Sequence, residues 1–151
     1  MPTAYIGTDL EGDLSRAVLA KWAAIAPLGV EIPGGIGQEP LAATPATPYA
    51  TLEIEPGSRA DEQSTGDQEI AYRDVVFKVR TSSKADAFRL GGLVNAKFHH
   101  AALAIDGLIR FEEQKGKIEA PKDERVAGGQ VWLATVRFTA WVHWDRSGHG
   151  S

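Results

Sequence analysis

The sequence contains no cysteine. That excludes a disulfide framework, a thiol nucleophile and the thiolate zinc sites. It leaves the redox compartment open, because a chain without thiols works in either. Concentrated positive charge is lacking as well. With 16 Lys and Arg against 20 Asp and Glu, the formal net charge is -4. A dedicated nucleic-acid binder instead gathers basic residues on one face. The densest basic stretch, Lys115, Lys117 and Lys122, is interleaved with Glu112, Glu113, Glu119, Asp123 and Glu124 and reads as a solvated loop. No apolar run approaches the roughly 20 residues of a membrane span. The opening MPTAYIGTDLEGD has no basic region followed by an apolar one, so no secretory signal is expected.

Catalytic and metal-binding patterns are scarce too. His99 and His100 are adjacent, and within a helix they point about 100° apart, a poor arrangement for one ion. His143 falls on the polar side of the last strand and His149 in the polar end. No H-E-x-x-H spacing occurs. Glu53 with Glu55, and Asp61 with Glu62, are paired acids of the kind that can do acid–base work or hold magnesium. They fall on a strand face and a loop, where exposed acids are the default. There is no G-x-S-x-G elbow, and Ser82 and Ser83 are better read as helix caps. Gly34, Gly35 and Gly37 are not followed by Lys-Ser or Lys-Thr, so a flexible proline–glycine loop is expected there, not a phosphate cradle. The expectation is a protein without catalytic residues, metal or cofactor.

What the chain does have is the makings of one globular domain. At 151 residues, 43% hydrophobic and 24% charged, it can bury roughly two-thirds of its unfolded surface. Residues 1–146 are expected to form that domain and the polar end 147–151 to be disordered.

Leu14, Val18, Trp22 and Ile25 recur at helical spacing across residues 10–26, with Ala17 and Ala24 between them. Asp13 is the expected N-cap, Pro27 the stop and Gly29 the turn. Pro33, Pro40, Pro45 and Pro48 then favour extended chain, with a short strand over 30–32. Alternation puts Ala50, Leu52 and Ile54 on one side of a strand over 49–55. Residues 56–68 lack large apolar side chains and read as an exposed loop. A second strand over 69–81 has Ala71, Val75, Phe77 and Val79 on one side, interrupted by Arg73, and Ile70, Tyr72 and Val76 on the other. The mixed pattern is expected to mark a twist, a bulge or partial burial of both faces.

A second helix starts at Lys84 and ends near 98–100, with Ala87, Leu90, Val94 and Ala101 on its stripe and Leu93 beside it. Gly91 and Gly92 each weaken a helix interior by about 1 kcal/mol, which points to close backbone packing on the sheet. A strand over 108–113, a loop over 114–130 and a long strand over 131–145 complete the order. In the last strand Trp132, Ala134, Val136, Phe138, Ala140, Val142 and Trp144 alternate without a break. Extended, it spans about 50 Å, so it must bend or reach past its own domain. The order helix, strands, helix, strands predicts an α+β fold: an antiparallel or mixed sheet with two helices packed on one face. Trp22, Trp132 and Trp144 fit core positions. Trp141 faces outward with Val131 and Leu133, either under a helix of the same chain or at a binding interface.

The layout resembles that of the tail terminator, or tail completion, proteins of long-tailed bacteriophages. The resemblance is carried by LSRAVLAKWAAI, PYATLEIEPGS, YRDVVFKVRTSSKADAFRLGGLVNAKF and VWLATVRFTAWVHW, and it spans nearly the whole chain. The proline-rich stretch 32–48 is longer than the pattern of that family. The resemblance implies a structural virion protein that forms a ring, typically six-fold, on the tail tube. Such a ring ends tube growth and meets the head–tail connector, while DNA passes through without specific binding. The implied partners are further copies of the chain, the tail-tube protein and the connector. The place is the tail–head junction of the virion, reached from the host cytoplasm. The expected interface residues are Arg59, Asp61 and Glu62 in the first loop, Lys115, Lys117 and Lys122 in the second, and Arg137 and Trp141 on the last strand. Net acidity suits a passage along which DNA must slide. Two alternatives stand beside this: another virion component such as a connector or tube subunit, and a small-molecule-binding domain or enzyme. The last would need a pocket with converging polar groups.

Overall fold

The computed structural model describes residues 3–39, 41, 43–56, 63–65, 68–114, 121–126 and 129–145. The elements are α1 (Leu10–Ala24), α2 (Ala26–Glu31), β1 (Ile36–Gln38), β2 (Tyr49–Pro56), β3 (Gln63–Thr65), β4 (Gln68–Thr81), α3 (Lys84–Phe98), β5 (Leu108–Glu113), β6 (Lys122–Val126) and β7 (Gly129–Asp145). The strands form one mixed sheet in the order β1-β2-β4-β7-β5, with β3 added to β4 and β6 added to β7. β1 runs parallel to β2, and the other pairs are antiparallel. The fold is α+β, as the order of elements predicts.

Strand alternation decides which side is the core. Val75, Phe77 and Val79 of β4 stand beside Phe138, Val136 and Ala134 of β7, and beside Ile54, Leu52 and Ala50 of β2. Leu14, Val18 and Trp22 of α1 and Ala87, Leu90, Val94 and Phe98 of α3 cover this side in one buried cluster. The two long helices thus lie on one face. Phe98 is its centre: its ring is 4.7 Å from Phe77 and 6.2 Å from both Trp22 and Phe111. Burying one such side chain contributes about 1.5–3 kcal/mol, and aromatic neighbours add roughly 0.5–1.5 kcal/mol a pair. The apolar stripe of α3 ends on Phe98, not Ala101, because the helix stops at Phe98. A smaller cluster of Tyr5, Leu10, Ala71, Val142 and Trp144 closes one end. There Tyr5 bridges to Trp144 in parallel.

Several local expectations are corrected. Asp9, not Asp13, caps α1 by accepting from the Gly12 amide; Asp13 instead accepts hydrogen bonds from the Tyr5 hydroxyl and from Arg16. α1 stops before Pro27, and that proline sits in the first turn of α2, where a missing N–H costs nothing. Residues 30–31 accordingly close a helix and do not make a strand. The glycine-rich stretch contributes β1, entered through Gly35 with φ +76°. The 56–68 stretch contains β3 and the 114–130 stretch contains β6; both are hairpin arms too polar to show an apolar alternation. β7 does not overrun the domain: β4 pairs with it from Trp132 to Asp145, while β6 and β5 share its other side. The polar end 147–151 lies outside the described residues.

Candidate protein interface

The side of the sheet turned away from α1 and α3 is built from the alternate residues. Arg110 and Glu112 of β5 stand beside Trp141 and Thr139 of β7, and Tyr72 and Val76 of β4 stand beside Trp141 and Arg137. Among the described residues no helix packs here. Tyr72 and Val76 are nonetheless buried, at 5% and 0% exposure. Long neighbours produce this: Val76 stands between Glu53 and Arg137, whose stems can lie over it while their charged ends stay in water. Of the twist, bulge or two-sided burial expected for β4, two-sided burial is what the structure shows.

Trp141 is the aromatic centre of the face. The Arg110 guanidinium lies 3.7 Å from its ring centroid and Tyr72 meets it edge-on at 5.2 Å. Arg110 also faces Glu112 at 3.7 Å. Around this centre the charges are matched: Arg137 to Glu55 at 3.3 Å and Lys78 to Glu53 at 3.6 Å. Toward β1, Arg80 is a clamp. Its guanidinium donates to Thr51 at 3.0 Å and to Glu124 at 3.1 Å, and approaches Glu39 at 3.4 Å. Burial pushes the Glu39 carboxyl up, but the Thr51 hydroxyl, Lys78 and Arg80 outweigh it and hold it below the usual carboxylate range. Burial likewise works against the charged form of Arg80, and Glu124 with Glu39 more than restores it. Exposed ion pairs are worth about 0–1 kcal/mol. The lattice therefore does more to order side chains than to stabilise the fold, and an ordered Trp–Tyr–Arg group is the composition enriched where proteins bind proteins.

Of the expected interface residues, Lys122, Arg137 and Trp141 share this face, Lys122 standing opposite Leu133 at the start of β6. Arg59, Asp61, Glu62, Lys115 and Lys117 lie outside the described residues. Arg110 and Tyr72 were not singled out from the sequence, although alternation within LIRFEE already separates Arg110 from Phe111. His99 and His100 lie just past the end of α3, which stops within its expected bounds, and their rings lie 4.0 Å apart. Among the described residues, no group of three or more His, Asp or Glu is placed to hold a metal ion, and no helix is long and apolar enough to cross a membrane.

No family model and no curated protein matches the sequence. Solved structures do. A chain from the virion of a native gene transfer agent (GTA) particle superposes with a TM-score of 0.68 at 21% identity, covering 91% of this chain and 99% of that one. The two chains share a fold. A second solved chain, whose description gives no activity, superposes with a TM-score of 0.54 at 11% identity over 85% of this chain and 94% of that one.

Proposed function

We propose that this chain is a structural virion protein that forms a closed ring on the end of a phage-type tail tube, stops tube growth and presents a surface to the head–tail connector. The observation that carries the reading is the fold shared with a chain of a gene transfer agent virion over 99% of that chain's length. The sheet face centred on Trp141, over which no helix packs among the described residues, supplies a surface suited to protein partners. Ring closure needs two unlike surfaces on one chain, since a self-complementary patch gives only a dimer. The sheet face and the helix side supply two such surfaces. DNA passes through the ring without being gripped, in keeping with the net charge of -4.

Native mass measurement and negative-stain imaging of the purified protein, alone and with tail tubes of a long-tailed phage, test the reading. Closed rings seated on tube ends are expected. Open filaments would assign a tube subunit instead. A monomer that never engages a tube end would overturn the proposal.

A further inference from the structure

We propose that the outer edge of β5 takes an extended segment of another protein, running parallel to β5 and bringing a Lys or Arg to Glu112. The seat follows from an internal repeat and does not depend on ring closure.

The strand pairs of the first half recur in the second at a shift of 61 residues, as 49 to 110 and 80 to 141 show. Tyr49–Arg80 becomes Arg110–Trp141, Ala50–Val79 becomes Phe111–Ala140 and Leu52–Phe77 becomes Glu113–Phe138. The hairpin arms obey the same shift. Gln63–Ile70 becomes Glu124–Val131, and Thr65–Gln68 becomes Val126–Gly129. β4 and β7 exchange places about the Val76–Arg137 pair, which carries Val75–Phe138 onto Val136–Phe77. A helix of 15 residues, α1 or α3, opens each half. The chain is thus one helix–strand–hairpin unit used twice about a local two-fold axis. What breaks the symmetry is the stretch between α1 and β2, which adds α2 and β1 to the first half.

β1 shows what an edge of this unit takes. It lies parallel to β2. Ala50 N donates to Gly35 O at 2.8 Å, and Leu52 O accepts from Glu39 N at 3.3 Å. The mates of Ala50 and Leu52 are Phe111 and Glu113. Their N–H and C=O groups point outward, because Gln114 N donates inward to Arg137 O and backbone direction alternates along a strand. Among the described residues the second half has no counterpart of β1, and β5 ends the sheet. Residues 99–107 are described and hold no strand. A parallel neighbour needs a connection of roughly a dozen residues or more, and β6 begins at Lys122, too soon after Glu113.

Charge selects the occupant. Glu39 accepts from Thr51 at 2.8 Å and lies 3.4 Å from Arg80 and 3.8 Å from Lys78. The mates of these three are Glu112, Trp141 and Thr139. Where the first half offers a hydroxyl and two cations, the second offers a carboxylate, an indole and a hydroxyl. Such a setting favours a cation. The surrounding row agrees. Glu112, Thr139, Asp74 and Glu55 stand side by side, three carboxylates against Arg110 and Arg137 in the flanking rows.

Amide hydrogen exchange of the full chain, read by NMR, is the test. In the free protein the Glu112 amide, which faces β7, is protected, while the Phe111 and Glu113 amides exchange fast. Protection of these two in the free protein overturns the proposal, because the chain then holds its own edge. The probe is a synthetic peptide of residues 34–42 with Glu39→Lys. In excess it slows exchange at Phe111 and Glu113, and the unchanged peptide does so roughly fivefold less. In a Glu112→Gln variant, whose fold circular dichroism checks, the preference for lysine is lost. Equal effects of the two peptides on the wild-type chain, or protection that leaves Phe111 and Glu113 untouched, overturn the proposal. Neither result bears on ring formation, which mass measurement reads separately.

Discussion

The guanidinium of Arg110 lies over the ring of Trp141 at 3.7 Å, and the two residues are register partners on β5 and β7. A cation held over an indole is worth about 0.5–1 kcal/mol when exposed and about 2 kcal/mol when dry. The pair therefore gains strength when a partner covers it. Arg110→Ala is expected to leave the fold intact, lowering stability by at most about 1 kcal/mol. Assembly should weaken by roughly tenfold, in line with arginine and tryptophan at interface centres. Urea unfolding checks the first effect and sedimentation velocity the second. Equal assembly in wild type and variant would remove this face from the interface.

Phe98 meets Phe77, Trp22, Phe111 and Phe138, so its ring joins α1, α3 and three strands. Phe98→Ala is expected to cost about 3–5 kcal/mol, measured as a shift of the urea midpoint. Leu93, on the same helix but only half-buried, should cost less when truncated.

The apolar periodicities made the core legible before any coordinates. β4, β5, β7, α1 and α3 each carry a run of alternating or helically spaced apolar residues, and each falls within three residues of its expected bounds. The elements that escaped carry no such run. β6 is KDERV and β3 is QST; as edge arms they hold their place by backbone pairing, which leaves no trace in side-chain hydropathy. α2 escaped because Pro27 reads as a stop but serves equally as a start. On the candidate face Trp141 was legible as an aromatic in an outward register. Arg110 was not, because its importance comes from pairing across strands distant in sequence. The glycine pair was half legible: two adjacent glycines signal close approach, but of the two only Gly91 makes it against the sheet.

Acid should weaken the β1–β2 edge through Glu39. Its carboxyl is held below the usual range by Thr51, Lys78 and Arg80, against the upward push of burial. A group whose folded pKa is depressed contributes stability that is present above its unfolded value, about 4.3 for Glu. That contribution is lost as pH falls through the folded value. Glu39→Gln is therefore expected to be less stable than wild type at pH 7, with the gap closing below about pH 4. Urea midpoints across pH 3–7 check this. A gap independent of pH would mean that Glu39 acts through packing alone.

Gly91 and Gly92 are neighbours on one helix, yet their replacement by alanine should act in opposite directions. At Gly92 a Cβ meets none of the described residues within 4 Å, and the backbone is helical. Gly92→Ala should then recover helix propensity worth about 0.5–1 kcal/mol. For a chain of this size that raises Tm by roughly 1–4 °C. At Gly91 a Cβ would press on Ala134 at 3.1 Å, so the same propensity gain is opposed by overpacking of about 1–3 kcal/mol, and Tm should hold or fall. Calorimetry of the two variants separates the cases.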